Sequence, residues 1–166
     1  MKRFTDMKTS LSPAAAAVLL ALSAGPASAE VYDLCAEATT KTMPDGSSVP
    51  VWGYVLDTDS ATAGCQGVVE IPGPRLEVTD GTLTINLTNN LPEPTSIVIP
   101  GLPMPTPLGP TWSDGTTGAR NPAADPPQRV RSFGVETAAG DTVAYSFTVN
   151  RPGTFIYHSG THPQKQ

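Results

Sequence analysis

Beyond the first 29 residues, apolar side chains recur at a spacing of two rather than three or four, so the chain reads as strands and not helices. In Arg75-Leu-Glu-Val-Thr79 and in Thr82-Leu-Thr-Ile-Asn-Leu-Thr88, polar and apolar residues alternate strictly. Such alternation fits a strand with one face on a core and the other in water. Asp80-Gly81 lies between the two runs, and both residues tolerate the positive φ of a tight turn, so a β-hairpin is predicted over residues 75–88. Val49-Pro-Val-Trp-Gly-Tyr-Val55 is a further alternating run, and Ser96-Ile-Val-Ile99 is short and continuously apolar, as in a strand covered on both faces. A stretch rich in proline and glycine, residues 100–127, reads as a long surface loop within one domain, because the flanking sequence is too short to fold by itself. Strands are predicted again over 130–135, over 142–149 after a Gly140-Asp141 turn, and over 154–158 after Asn150-Arg-Pro-Gly153. About seven short strands at regular spacing predict an all-β antiparallel sandwich.

The first 29 residues follow a different rule. Lys2, Arg3 and Lys8 precede an apolar run from Ala14 to Ala24, and Ala27-Ser28-Ala29 supplies small residues for cleavage. That pattern predicts a secretory signal over residues 1–29 and a mature domain over 30–166, secreted or periplasmic. The apolar run falls short of the roughly 20 residues of a bilayer span, so no membrane attachment is expected once the signal is removed. Of ten basic and fifteen acidic residues, three and one lie in the leader, which leaves seven and fourteen and a net charge of −7. An acidic surface with scattered cations argues against nucleic acid as a partner.

The two cysteines, Cys35 and Cys65, are compatible with one disulfide in an exported protein. The alternative is a copper thiolate, which needs a histidine close by, whereas both histidines, His158 and His162, lie far downstream. Other chemistry finds little support. No Ser-His-acid triad is assignable, since Ser159 shares a short segment with both histidines and no nucleophile elbow is present. Gly64-Cys-Gln-Gly67 lacks the lysine of a phosphate loop. Asp57 and Asp59 suit a loop calcium site or plain solvation, and Asn86-Leu-Thr88 is a glycosylation sequon inside a predicted strand.

Several local motifs occur in one order: Pro72-Gly-Pro-Arg-Leu-Glu-Val-Thr-Asp-Gly81, then Asn86-Leu-Thr-Asn-Asn-Leu-Pro, then Trp112-Ser-Asp-Gly115, and finally Pro152-Gly-Thr-Phe-Ile-Tyr-His158-Ser. Together, over roughly residues 50–162, they resemble the first cupredoxin (plastocyanin-like) domain of multicopper oxidases, the laccase family. The resemblance implies a cupredoxin-like Greek-key antiparallel β-sandwich and copper as cofactor. It also implies two His-x-His pairs, because residues two apart on a strand face the same side and converge on metal. At the first pair this chain has Val98 and Pro100; at the second it has His158 and Gly160. One family ligand, His158, is retained, and His162 is the nearest replacement for another, which makes these two residues the candidate metal ligands. No catalytic residue is assigned.

The family's other copper site lies in a later domain, so Met43 and Met104 are expected to fill gaps or pack within loops. Compared with the family, the sandwich is expected to lack its last strand and to expose an edge near the C-terminus, open to other cupredoxin domains or a partner chain. The function implied is an exported copper-binding-family domain without independent oxidase activity. A partial chain or subunit of an oxidase that reduces dioxygen is the alternative, as is a small adhesion or carbohydrate-binding sandwich using Trp52, Tyr54 and Trp112.

Overall fold

A computed structural model describes residues 29–79 and 81–161. All regular structure there is extended: β1 (Ala29–Thr42), β2 (Ser48–Leu56), β3 (Gly81–Asn89), β4 (Thr111–Trp112), β5 (Val130–Ser132) and β6 (Thr142–Val149). A four-stranded sheet runs in the order β2-β1-β3-β6, and β4 and β5 form a two-stranded one. The second layer of the sandwich is completed by irregular segments joined through isolated bridges, Thr95 to Thr137 and Val98 to His158. The fold is the all-β, cupredoxin-like sandwich expected. One pair, β1 with β3, is parallel within an otherwise antiparallel set. No helix among the described residues is long and apolar enough to cross a membrane. The predicted signal core over residues 14–24 lies outside the described residues, as does His162.

The period-two reading holds for the central strand. In β3, Leu83, Ile85, Leu87 and Asn89 are buried on one face. The other face carries a polar ladder in which Asn86 Nδ2 donates to Asp33 Oδ1 at 2.7 Å and the Thr88 and Thr142 hydroxyls meet at 2.8 Å. The core gathers Leu34, Tyr54, Ile85, Leu87, Ile97, Tyr145 and Phe147 between the layers. Residues 95–99 are buried throughout, as a continuous apolar run implies, although they pair only by single bridges.

Two expectations fail. Residues 75–79 form no hairpin with β3, because both edges of β3 are taken, by β1 in parallel and by β6 antiparallel. Gly81 does adopt φ +92°, but it opens the strand and turns no hairpin. Residues 74–77 are tied down instead by phenols: Tyr32 Oη donates to Glu77 O at 2.7 Å, and Tyr157 Oη to Pro74 O at 2.6 Å. The strand predicted over 154–158 is likewise reduced to one bridge at His158. Conversely, β1 carries no clean alternation. Leu34, Cys35 and Ala36 are all buried, since Leu34 and Ala36 face the core while a loop covers Cys35 on the opposite side.

Asn89 ends β3 with its amide fully buried. Its Nδ2 donates to Glu93 O at 2.9 Å and Thr137 O at 3.0 Å, and its Oδ1 accepts from Leu91 N at 3.0 Å. Asn89→Ala removes three hydrogen bonds inside a dry site and is expected to cost about 2–3 kcal/mol. Urea unfolding checks this through a lower midpoint at unchanged slope.

Burial pushes the Tyr145 phenol up from its usual 10.0 to about 12, and burial likewise raises Tyr54 and Tyr157. A folded-state pKa above the unfolded one leaves stability intact below pH 10.0 and removes it as pH rises toward about 12. Tyr145 alone is expected to contribute a loss of about 1.4 kcal/mol per pH unit in that window. Urea midpoints at pH 9 and pH 11 test it, with Tyr145→Phe reducing the difference while Tyr54 and Tyr157 sustain the remainder.

Candidate metal centre

The two segments that carry the His-x-His positions are brought side by side. Val98 N donates to His158 O at 2.9 Å and His158 N to Val98 O at 3.1 Å. Residues that exchange both bonds are directly opposed, with Cα atoms about 5.5 Å apart and side chains on one face. The His158 imidazole is half-buried, and its Nδ1 lies 2.8 Å from Ser159 O. A carbonyl only accepts, so Nδ1 carries the proton and the lone pair of the neutral ring is on Nε2. A hydrogen bond of this kind orients an imidazole toward a metal.

Among the described residues, the neighbours of His158 offer no second imidazole. Val98 is buried across from it, and Pro100 is exposed two residues on. Gly160 sits where a Cβ would lie 3.0 Å from Ser96 Oγ, 3.1 Å from Val98 Cγ1 and 3.3 Å from Phe133 Cβ, so the site has closed over the space a side chain would need. A knot of hydroxyls holds it shut. Ser96 Oγ meets Ser132 Oγ at 2.8 Å and Thr161 Oγ1 at 3.1 Å, and it accepts from Gly160 N at 3.1 Å. Thr95 Oγ1 donates to Ser159 Oγ at 3.0 Å. Sequence reasoning missed this knot, because isolated Ser and Thr residues carry no signal until the segments that bear them are adjacent.

Among the described residues the donor set at this locus is therefore one imidazole, and a single nitrogen does not hold copper against water. The described residues do not fit a complete copper site. His162, the other candidate ligand, lies outside the described residues.

The remaining candidates have structural partners. Cys35 and Cys65 are joined, Cα to Cα 6.3 Å, so neither sulfur is a copper thiolate. Asp57 Oδ1 accepts from Asp59 N at 3.1 Å and Gln66 N at 3.0 Å, and Asp59 Oδ2 from Thr62 Oγ1 at 2.6 Å. Both carboxylates thus close their own loop. In the Trp-x-Asp-Gly segment, Trp112 Nε1 donates to Gly118 O at 2.9 Å, and Asp114 accepts from the Thr116 hydroxyl at 2.7 Å and from Gln128 Nε2 at 2.6 Å. These bonds, the Thr116 hydroxyl first, hold the Asp114 carboxyl below the usual carboxylate range. That motif locks a loop. Tyr54 and Trp112 are buried and Trp52 packs against the core, so the three aromatics form no surface platform for a glycan. Met43 and Met104 are exposed and fill no core space.

Comparison with known proteins adds the lineage. Residues 56–166 match the family model described as multicopper oxidase. A curated relative, L-ascorbate oxidase from Brassica rapa subsp. pekinensis, is 34% identical over 91 residues, which is 54% of this chain and 13% of that protein. Among solved structures, the multicopper oxidase from Campylobacter jejuni, a metallo-oxidase, superposes with a TM-score of 0.50 at 20% identity, over 82% of this chain and 22% of that one. The multi-copper oxidase from Pseudomonas thermotolerans gives 0.48 at 23% identity, over 81% and 25%. The chain thus spans about a quarter or less of the length of each of these proteins.

Proposed function

The chain belongs to the multicopper oxidase family, and from that premise we propose that it is an exported cupredoxin-like domain whose copper ligands are mostly replaced, without oxidase activity of its own. The observation that carries the reading is the pairing of Val98 with His158. The two segments expected to bear the family's imidazoles are in register, and one of the opposed side chains is aliphatic. Copper, where a member of the family binds it, carries electrons from a reducing substrate to dioxygen. In this chain Ser159 O orients one half-buried imidazole, Val98 stands opposite it, and the Ser96–Ser132–Thr161 hydroxyls close the space at Gly160. Export is supported by the basic, apolar and small-residue order of residues 1–29. Mass spectrometry of the mature protein tests it, with Glu30 as the expected first residue.

Titration of the purified chain with Cu(II), followed by gel filtration, tests the copper reading. Less than one retained copper per chain and no dioxygen uptake with a reducing substrate are expected. Stoichiometric copper with dioxygen consumption refutes it. His158→Ala is expected to abolish the residual binding while moving stability by about 0.5 kcal/mol or less, as befits a half-buried ring whose hydrogen bond among the described residues is to its neighbour's carbonyl.

A second reading is favoured by length. Because the chain corresponds to 13% of the ascorbate oxidase it resembles, it is alternatively one component of a larger copper oxidase, completed by other cupredoxin domains or a partner chain at the 154–161 edge. Restoration of dioxygen uptake on mixing with such a partner separates the two.

A further inference from the structure

The face that carries His158 is apolar and open. Phe155 and Tyr157 pack against the core, so alternation along the segment turns Ile156 and His158 outward. Ile156 is 71% exposed. Phe133, 64% exposed, stands beside them, because its backbone N–H donates to Gly160 O at 3.2 Å. Leu108 is exposed to the same degree and borders Phe133, since Gly109 packs on Gly134 so closely that a Cβ would meet Gly134 C at 2.7 Å. Val98 is the floor: a Cβ at Gly134 or Gly160 would lie 3.6 or 3.1 Å from Val98 Cγ1. None of these residues is a carboxylate, lysine or arginine, although residues 30–166 hold fourteen acidic and seven basic side chains. We propose that this face is a self-association surface closed by a metal ion. Two copies related by a two-fold axis each give the His158 Nε2 lone pair to one borderline divalent cation, with Zn(II) as the probe. Each copy covers the other's Ile156, Phe133 and Leu108.

A second copy is the occupant that the chemistry favours. At an isologous contact a residue near the axis meets its own counterpart, and His158 lies between Ile156 and Phe133 on the face. An axis there brings two imidazoles together, where the described residues of one chain supply a single one. The site is incomplete without the partner copy. Ser159 O already fixes the ring and leaves Nε2 as the metal-binding nitrogen. Zinc takes imidazole nitrogens at about 2.0–2.1 Å, with water in its remaining positions. Charge points the same way. Two acidic chains repel over most of their surface; a face without carboxylates lets them approach, and a dication between them lowers the repulsion further. A basic partner would favour the acidic surface elsewhere. The apolar contact by itself is small, since three exposed side chains at roughly 200 Å² each fall short of the roughly 800 Å² per partner in a standard interface. Metal and apolar contact are therefore both needed, and each strengthens the other by mass action. Association of this kind does not depend on whether the chain oxidises a substrate, and zinc takes no electrons, so dioxygen uptake does not enter the test.

Sedimentation velocity of the purified chain over a concentration series, with Zn(II) or with a chelator, tests the assembly. Zn(II) is expected to tighten the dimer at least about tenfold, with one zinc retained per two chains. His158→Ala is expected to remove the zinc dependence and leave the weak metal-free association in place. Ile156→Glu, at a position 71% exposed, keeps the fold by circular dichroism and is expected to weaken the zinc dimer at least about tenfold. Val68→Glu, 80% exposed on the loop after β2, is expected to leave the dimer unchanged. A chain that stays monomeric with zinc at every concentration overturns the proposal, as does one zinc per chain without association. Zinc-dependent dimers that survive His158→Ala, or that are indifferent to Ile156→Glu, overturn it as well. So does a face that Ile156→Glu disables only toward an added cupredoxin domain, since the occupant is then that domain and not a second copy.

Discussion

Replacing both Cys35 and Cys65 with alanine is expected to destabilise the protein by about 3–4 kcal/mol in the chain-entropy account. The link spans a sequence separation of 30, and removing it returns that much loop-closure freedom to the unfolded chain. It ties the loop after β2 to the middle of β1, where Cys35 is 2% exposed. β1 is the strand on which both β2 and β3 pair, so loosening its cover exposes the centre of the sheet. Alanine at position 35 also leaves a small void beneath the loop, which adds to the loss. For a domain of this size the expected fall in melting temperature is about 10–20 °C. Thermal unfolding of the double variant beside the oxidised wild type measures it. A loss under about 1 kcal/mol would mean that the hydrogen bonds from Thr58 N and Thr58 Oγ1 to Gln66 O hold the loop by themselves.

The second large effect is a gain. Val98→His is expected to raise Cu(II) affinity at least about tenfold, or about 1.4 kcal/mol. Opposed residues of a hydrogen-bonded antiparallel pair place their Cβ atoms about 5 Å apart on one face, so the new imidazole stands beside that of His158. Two nitrogens then converge where one stands now, and the Ser159 carbonyl already orients the first ring. Gly160→His is expected to fail at the same task, since its Cβ meets Ser96 Oγ at 3.0 Å and Val98 Cγ1 at 3.1 Å. Isothermal titration with copper compares the two variants directly. If Val98→His binds no better than wild type, the register of residues 98 and 158 does not define a metal locus. Val98 is 7% exposed, so a urea melt of the variant belongs with the titration.

Local pattern was enough wherever one strand face meets the core and the other meets water. That holds for β2, β3 and β6, whose expected limits differ from the observed ones by a residue or so. It was not enough where tertiary contacts override alternation. β1 shows no period of two because a disulfide-bound loop covers its outer face, and residues 75–79 alternate without pairing because β1 and β6 occupy both edges of β3. The ordered motifs and the scarcity of histidine were readable in the chain, and with them the lineage and the thin donor set. Only the folded structure put Val98 opposite His158 and knotted Ser96, Ser132 and Thr161 together. Periodicity is a property of neighbours along the chain, whereas a site depends on which segments a closed sheet brings into contact, and hydrogen-bond register across segments leaves no trace in one strand's own pattern.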